Sequence, residues 1–452
     1  MTGSTTTVEA TEAEAERIGR VFPSFRDFVD AALFDPAWGY YSTGKVRFGE
    51  GGHYDTFPLA LSPLFGRMLA QYAFRFWRRA GEPQDFEICE LGAGNGQLCL
   101  DVLVTVAESA RGEPAWMRFA RRLRYRIIER SPALIVRQRQ HLGPLARRVR
   151  WTHADLAQPP RRRLAAGRCG IVFANEVLDC LAHHKIAPCR DRTPGVVFVV
   201  PALRPGTAAL DGFRPVQGIR PGERAVRKAD LARVLGEAGL RPCVSFEEVV
   251  LPVSAVPGLD DFLRRHYPEF FAARKRFRPY FACPAIETLV HSAGRLYDQV
   301  EILWIDYGDT REFHLGTAAS QRLFAGPPRS GASVYRAPGA DDVTFLVDFS
   351  VVADAAAQAG LRVKFFGPQG ELARRSGVVL DDQAVELMAQ CRALGWLLAV
   401  AGVGPERNWR HTGLTWSRQG GTGVGIRSDA KRAVAEFLGK RRSNFKLMIM
   451  SR

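Results

Sequence analysis

The sequence lacks any apolar stretch that approaches the roughly 20 residues needed to cross a bilayer as a helix. The first residues, 1–9, also lack the charged start and the apolar core of a signal peptide, and the glutamates near them argue against a mitochondrial transit peptide. We therefore expect a cytoplasmic protein that does not enter a membrane.

Cysteine pairs of the C-x-x-C type are missing too, although the chain has eight cysteines. No spacing of cysteine and histidine resembles a zinc site, so a metal-assisted mechanism is disfavoured. Cys89 and Cys99 fall in predicted core elements, where a free thiol acts as a small hydrophobic side chain. Reduced thiols agree with a cytoplasmic location.

Lysine is scarce, and arginine supplies nearly all of the positive charge behind the formal net charge of +16. The arginine bias is explained either by a GC-rich genome or by a basic surface that attracts an acidic substrate or partner. The arginine clusters are short, and no predicted helix interleaves basic residues with stacking aromatics. The sequence therefore argues against nucleic-acid binding.

What the sequence does contain is a short apolar run followed by alternate glycines. Residues 86–91 read FEICEL and predict a buried strand, after which come Gly92, Gly94 and Gly96. Glycines let the backbone turn sharply and approach a ligand, as in doubly wound sheets that bind nucleotides. Glu90, just before the turn, would repel a pyrophosphate and attract a cation. The pattern favours S-adenosylmethionine, with its positive sulfonium; a turn with incidental glycines is the alternative.

Polar residues also stand at the carboxyl ends of three further predicted strands. Glu129 ends the apolar run 123–129, Asp155 follows the third strand, and Asn175 and Glu176 end the fourth. Because the carboxyl ends of parallel strands line the crevice where open α/β sheets bind ligands, we expect these side chains to lie together. A carboxylate at the tip of the second strand can accept hydrogen bonds from both ribose hydroxyls.

At these residues the sequence resembles the MidA-like methyltransferases, the family of the mitochondrial arginine methyltransferase that assists respiratory complex I assembly. The similarity runs from about residue 25 to the C-terminus, and its segments are 34–41, 62–66, 90–98 with Asp101, 175–179, 305–308, 347–350 and 444–446. The resemblance implies a class I S-adenosylmethionine-dependent methyltransferase, an α/β protein with a Rossmann-like doubly wound sheet and added helices. We predict that its cofactor-binding residues are Glu90, Gly92, Gly94, Asn95, Gly96, Glu129, Asp155 and Asn175.

The acceptor side departs from the family's pattern. Relatives carry G-D-F-x-T-x-x-E before the S-x-x-F-G segment; residues 52–62 of this chain are one residue longer, and His53 replaces the family acid. Leu59 or Ala60 stands where the glutamate is expected, and residues 179–184 depart from the family's D-A-x-P-V. Carboxylates orient a guanidinium because the two groups pair bidentately. Their loss therefore weakens the case for arginine methylation.

We accordingly predict methyl transfer to an oxygen of a small or peptide-like acceptor, either a carboxylate or a hydroxyl. An acidic acceptor would agree with the positive charge of the protein. Histidine can remove a hydroxyl proton near neutral pH, and His53 is the preferred base over His183 and His184. Glu176 and Asp179 could instead hold a cationic acceptor. We predict His53, Glu176 and Asp179 as catalytic residues.

Two alternatives stay open: protein arginine N-methylation and a non-catalytic assembly factor. The resemblance also allows a homodimer.

Hydrophobic periods and turn residues divide the chain into four predicted segments. These are an N-terminal helical segment, 1–80; the first part of the Rossmann-like core, 81–195; a mainly helical insertion on the acceptor side, 196–298; and the rest of the core with the C-terminal region, 299–452.

Overall fold

A computed structural model of the chain describes residues 12–48, 56–158, 169–204, 216–217, 224–237, 243–272, 278–316, 323–325, 334–390, 431–439 and 445–452. The strands in these ranges are β1 (Phe86–Leu91), β2 (Leu123–Glu129), β3 (Val149–His153), β4 (Cys169–Asn175), β5 (His184–Pro188), β6 (Pro194–Leu203), β7 (Val216–Gln217), β8 (Arg224–Ala225), β9 (Val244–Pro252), β10 (Tyr280–Ala282), β11 (Gln299–Asp309), β12 (Leu323–Ala325), β13 (Val343–Phe345), β14 (Val347–Asp348), β15 (Arg362–Pro368) and β16 (Phe445–Ser451).

The helices in the same ranges include α1 (Glu12–Val21), α2 (Phe25–Phe34), α3 (Phe57–Ala60), α4 (Leu64–Arg79), α5 (Gln97–Gly112), α6 (Pro114–Arg122), α7 (Pro132–Leu142), α8 (Lys228–Gly236), α9 (Leu259–His266), α10 (Ala285–Gly294), α11 (Arg311–Gly316), α12 (Phe349–Gln358) and α13 (Glu371–Ser376). Within the described ranges, none of the helices combines the length and apolar character that crossing a membrane requires.

The chain divides into two compact units. The core unit consists of Val46–Asp179, Ala285–Arg311 and Val347–Arg452. The insert unit consists of Met1–Lys45, Cys180–Pro284 and Glu312–Leu346. These divisions differ from the predicted boundaries after residues 80, 195 and 298, because the chain enters and leaves each unit more than once.

The core unit is built on an eight-stranded sheet with the strand order β15-β16-β11-β4-β1-β2-β3, and β14 pairs with β11. Strands β1, β2, β3, β4 and β11 are parallel to their neighbours in that set, and β16 runs antiparallel to β11 and β15. From β1 the chain winds first toward β3 and later, through β4, toward β11. The point between β1 and β4 is where doubly wound sheets bind ligands. The predicted α/β doubly wound class is confirmed.

Apolar residues explain why β1 lies at the centre of this sheet. All six residues of β1 are buried. Helices α4 and α5 cover it, and the aromatic side chains of α4 and α6 pack together: the rings of Phe74 and Trp116 stack with centroids 4.0 Å apart. Large buried aromatic side chains contribute much of the burial energy of a core. The strand therefore holds its carboxyl end, and the glycines after it, in a fixed position.

The insert unit has a six-stranded sheet, in the order β10-β5-β6-β8-β7 with β9 pairing to β6. The prediction of a mainly helical insertion at 196–298 is wrong in this respect. The helical periods did mark α8 and α9, but β9 pairs antiparallel with residues 195–203 of β6, from which it is distant in sequence. Pairing between distant strands leaves little signal in the sequence of either one, because each strand receives its hydrogen bonds from the other.

Two of the candidate base residues belong to the insert unit and are buried there. The ring of His183 stacks on Phe345 with centroids 4.2 Å apart. Burial lowers the pKa of His183 to about 3 and that of His184 to about 4. Both imidazoles are therefore neutral near pH 7, and the stacking of His183 is the packing role of a core side chain.

Candidate functional site

The glycine loop, residues 92–96, leaves β1 in a left-handed backbone conformation. Gly92 has a φ of +62° and Gly94 a φ of +54°. A Cβ atom on Gly92 would lie 2.9 Å from Cγ2 of Val177, and one on Gly94 would lie 3.3 Å from the ring of Phe48. Only glycine tolerates both the torsion angle and these approaches. The turn predicted from the sequence is therefore present, and it carries no side chain at Gly92 and Gly94.

Glu90 lies buried directly below this loop. Its Oε2 accepts a hydrogen bond of 2.7 Å from the hydroxyl of Tyr125. Burial raises the pKa of Glu90, the hydrogen bond from Tyr125 opposes this, and the charge of Glu129 adds to the rise, so that the pKa is about 7. A buried carboxylate without a cationic partner is costly when ionised. A positively charged ligand beside it would lower that cost.

This raised pKa predicts how stability depends on pH in the ligand-free protein. The folded-state pKa of Glu90, about 7, lies above its ordinary value of 4.5, so the fold favours the protonated acid. Its contribution is fully present below about pH 4.5 and is lost as the pH rises through about 7, a change of about 3 kcal/mol. Urea unfolding of wild type and Glu90→Gln should show the wild type losing stability relative to the variant from pH 5 to pH 8. Parallel profiles would contradict the assignment.

Glu129, at the tip of β2, is tied to the glycine loop by Gln138. Its Oε1 accepts from the backbone N–H of Ser131 at 2.9 Å, and its Oε2 from Nε2 of Gln138 at 3.0 Å. The same Nε2 donates to the carbonyl of Gly94 at 3.0 Å, while Oε1 of Gln138 accepts from the indole of Trp151 at 3.0 Å. Burial raises the pKa of Glu129 to about 6. The carboxylate keeps lone pairs for further donors, as two ribose hydroxyls would be.

Two asparagine side chains at the same edge each leave one buried polar atom without a partner among the described residues. Oδ1 of Asn95 accepts from the N–H of Gln97 at 3.0 Å, and its Nδ2 has no acceptor. Nδ2 of Asn175 donates to Glu176 at 3.0 Å, and its Oδ1 has no donor. An unsatisfied buried group costs about 1–3 kcal/mol. A ligand acceptor would satisfy Nδ2 of Asn95, and a ligand donor would satisfy Oδ1 of Asn175.

Asp155 lies just past β3 and is partly exposed. Its Oδ1 accepts from the N–H of Ala157 at 2.8 Å and lies 3.6 Å from Nη1 of Arg130. The preceding residue, Ala154, donates its N–H to the carbonyl of Glu129 at 3.1 Å. The structure therefore brings Asp155 to the same edge as Glu129, and its part in cofactor binding stays a prediction.

The turn after β4 is organised by Asp306, at the end of β11. Oδ2 of Asp306 accepts three consecutive backbone N–H groups, those of Val177 at 3.2 Å, Leu178 at 3.0 Å and Asp179 at 3.2 Å. Consecutive amides that point at one oxygen form an anion-binding nest. Here the chain's own carboxylate fills the nest, so Asp306 sets the conformation of the turn.

Glu176 and Asp179 are carried by this turn. Glu176 has a φ of +53°, which is uncommon for a residue with a side chain and is often found at functional sites. The hydroxyl of Tyr307 donates to Oδ2 of Asp179 at 2.5 Å. Burial, followed by the charges of Asp179 and Glu176, holds the pKa of Asp306 well above its usual range. The acidic groups of Glu176, Asp179 and Asp306 therefore interact electrostatically at this edge.

The structure brings together most of the residues predicted from the sequence, in two neighbouring groups. One group surrounds the glycine loop, and the other is the turn after β4. His53 lies outside the described residues, and its role stays a prediction. The sequence reasoning missed Asp306, Tyr307 and Gln138 as site residues. The family-like segment 305–308 was a signal for the first two, whereas nothing in the sequence marked Gln138.

Comparisons with known proteins identify the family of the chain. A sequence model of the family described as "Putative S-adenosyl-L-methionine-dependent methyltransferase" matches residues 68–367. A Drosophila melanogaster protein named as a mitochondrial arginine methyltransferase NDUFAF7 homolog is 29% identical over 180 residues, which is 35% of this chain and 37% of that protein. The Danio rerio protein named arginine methyltransferase NDUFAF7 is 34% identical over 80 residues, 18% of each. The chain thus matches less than two fifths of the length of these curated relatives.

Solved structures support the fold. A Burkholderia thailandensis protein crystallised with S-adenosyl-homocysteine superposes with a TM-score of 0.60 at 20% identity, covering 99% of this chain and 95% of that one. A native crystal structure of a COG1565 superfamily protein from the same organism gives a TM-score of 0.57 at 19% identity, with the same coverage. At this level of identity the likeness concerns the fold alone.

Proposed function

The chain belongs to the MidA-like family of S-adenosylmethionine-dependent methyltransferases, and on that premise we propose that it methylates a nitrogen of a cationic acceptor, a guanidinium or an amine. One observation carries this proposal: the turn that holds Glu176 and Asp179 is built around the buried carboxyl group of Asp306, so that three acids gather at one turn. A cation relieves the repulsion among such groups, whereas an anion adds to it.

We assign the cofactor to the glycine loop. Glu129 would accept the ribose hydroxyls, Nδ2 of Asn95 would donate to the carboxylate of the amino-acid end, and Oδ1 of Asn175 would accept from its ammonium. Glu90 would stabilise the positive charge. When bound, S-adenosylmethionine supplies the methyl group from its sulfonium, whose sulfur keeps the electron pair of the broken bond.

The acceptor would be held by the turn after β4. Glu176 and Asp179 would pair with the cation and orient its nitrogen, because aligning two reactants can supply much of the rate enhancement of such a displacement. Either carboxylate could accept the proton that the nitrogen releases, which a guanidinium can lose after the methyl transfer but an ammonium must lose before it to free its lone pair. Asp306 and Tyr307 would keep both acids in place through the hydrogen bonds described above.

Methylation of an oxygen, predicted from the sequence, stays the second candidate. Its support is the loss of family acids in residues 52–62, of which 52–55, with His53, lie outside the described residues. A carboxylate acceptor would be repelled by the three acids, although a hydroxyl would not. The arginine methyltransferase names of the curated relatives favour nitrogen. Membership of an enzyme family leaves no support for a non-catalytic assembly factor. The cytoplasmic location and the homodimer stay predictions.

The proposal is tested by the chemistry of the methylated product. The protein is incubated with methyl-labelled S-adenosylmethionine and a lysate from source cells that lack its gene. We expect a label that is stable to base and is recovered after acid hydrolysis as a methylated arginine or amine. A label released by mild base as methanol, or found in an ether, would overturn the nitrogen assignment and favour oxygen.

Neutral variants test the role of the acids in the same assay. For Glu176→Gln and Asp179→Asn we expect an increase in acceptor KM of at least about tenfold, because a charge-assisted bond is worth about 1.5–3 kcal/mol. Affinity for S-adenosyl-homocysteine, measured by calorimetry, should change by less than about threefold, since neither side chain is assigned to the cofactor. Unchanged acceptor KM in both variants would show that the acceptor does not contact these acids.

A further inference from the structure

Asp101, in the first turns of α5, is a buried acid that neither the cofactor nor the acceptor assignment uses. Its Oδ2 accepts a hydrogen bond of 2.7 Å from the hydroxyl of Ser62, and its Oδ1 accepts one of 2.7 Å from Nε2 of Gln97. Burial raises its pKa to about 7. Burying a carboxylate costs free energy unless hydrogen bonds compensate for its lost hydration.

On one side Asp101 reaches the segment that leads into α4. A Cβ atom on Gly66 would lie only 2.2 Å from Cβ of Asp101, so α4 and α5 approach closely there. The short helix α3 precedes Ser62, and Phe57 at its start packs edge-on against Phe445 with centroids 5.0 Å apart. The segment 56–62 is therefore attached at one end by aromatic packing and at the other by Asp101.

On the other side Asp101 reaches the glycine loop through Gln97. The side chain of Gln97 bonds to Asp101, and its Oε1 lies 2.9 Å from Nε2 of His141. The backbone N–H of Gln97 donates to Oδ1 of Asn95 at 3.0 Å. Asn95, which has a buried donor still to satisfy, thus bonds the backbone of Gln97, and the side chain of Gln97 reaches Ser62 through Asp101 and also directly, with Nε2 3.3 Å from Oγ of Ser62.

We propose that Asp101 is a positioning residue that couples the glycine loop to residues 56–62, so that a ligand in the loop also orders that segment. A ligand that engages Nδ2 of Asn95 fixes the orientation of that amide, and Oδ1 then fixes Gln97 and the groups bonded to it. Networks of this kind are rigid when every member is satisfied. The inference rests on the proposed function only in requiring that S-adenosyl-homocysteine binds the loop.

Amide hydrogen exchange measured by mass spectrometry tests the coupling without knowledge of the acceptor. In the wild type, saturating S-adenosyl-homocysteine should slow exchange of the peptide that covers residues 56–62 by at least about fivefold. In Ser62→Ala the ligand should bind with an affinity within about twofold of wild type, yet the slowing should be lost. Slowing that persists in Ser62→Ala would overturn the proposal.

The matched control is Tyr297→Phe, which also deletes a hydroxyl that donates to a carboxylate. The hydroxyl of Tyr297 bonds to Glu87 at 2.7 Å, near the start of β1 and so at the opposite end of the strand from the glycine loop. This variant should keep the ligand-dependent slowing. Its loss there would show that any buried hydroxyl in the sheet has the same effect, which would also overturn the proposal.

Conservative replacement separates positioning from simple stability. Asp101→Asn can still accept from Gln97 and can donate to the hydroxyl of Ser62, so the slowing should be retained; Asp101→Leu can do neither and should lose it. Equal behaviour of the two variants would overturn the assignment. A wild-type protein that binds no S-adenosyl-homocysteine would contradict the proposed function, whereas binding without slowing would contradict this inference alone.

Discussion

Replacing Asp306 by alanine is expected to abolish methyl transfer and to lower the free energy of unfolding by about 3 kcal/mol or more. Three consecutive backbone N–H groups, those of residues 177–179, lose their acceptor in this variant. Each buried donor left unsatisfied costs about 1–3 kcal/mol, and relaxation of the turn recovers part of the sum. Urea unfolding gives the stability, and transfer of labelled methyl gives the activity.

The same substitution at Asp309 is the control. Asp309 ends β11, as Asp306 nearly does, but it pairs at 2.9 Å with Lys446 in a partly exposed ion pair. Such pairs are worth about 0–1 kcal/mol, so Asp309→Ala should stay within about 1 kcal/mol of wild type. Asp306→Asn keeps one acceptor oxygen and should be intermediate. If Asp306→Ala were as stable and active as Asp309→Ala, the turn would not depend on this carboxylate.

The arrangement of the strand ends around the glycine loop could be predicted because its signals are local. An apolar strand that stops at Glu90 and turns on Gly92 and Gly94 is visible within a few residues of sequence. The parallel arrangement then brings the ends of separate strands together, so that Glu129 and Asn175 could be placed without knowledge of their contacts. Secondary structure and strand direction were sufficient for this part of the site.

Other parts depend on contacts between distant residues and left no local signal. Gln138 is one of several polar residues on α7, and only the folded chain shows that its amide joins Glu129 to the carbonyl of Gly94. Asp306 lies 130 residues from Glu176 in the sequence, and its three N–H partners belong to a turn whose shape depends on it. Likewise, β9 and β6 form the insert sheet by pairing that neither strand predicts alone.

Charge gives the site its chemical character. Glu90, Glu129 and Asp306 are all buried at the carboxyl edge of the sheet, and burial raises the pKa of each. The protein is strongly basic as a whole, with a net charge of +16, yet this edge concentrates acids. A low-polarity environment strengthens the attraction of such acids for a cation. A sulfonium at the glycine loop and a cationic acceptor at the turn after β4 would each reduce the cost of keeping these groups.

Replacing Gly94 by tryptophan is expected to weaken binding of S-adenosyl-homocysteine by at least about 100-fold, or about 2.7 kcal/mol. The new side chain would begin 3.3 Å from the ring of Phe48, at a φ of +54° that residues with a Cβ rarely adopt. It would therefore occupy or displace the loop over which we place the cofactor. Calorimetry measures the affinity, and circular dichroism with thermal unfolding confirms that the variant folds.

Gly81→Trp distinguishes loss of the site from general strain. Gly81 also has a positive φ, +83°, but a Cβ atom there would meet nothing within 4 Å. This variant therefore bears the same kind of backbone strain, about 1–2 kcal/mol, without obstructing the loop. It should bind S-adenosyl-homocysteine within about twofold of wild type, because strain at a distant turn acts on folding and not on the bound state. If both variants bound equally well, the ligand would not lie over the glycine loop, and the assignments of Glu129, Asn95 and Asn175 would fail with it.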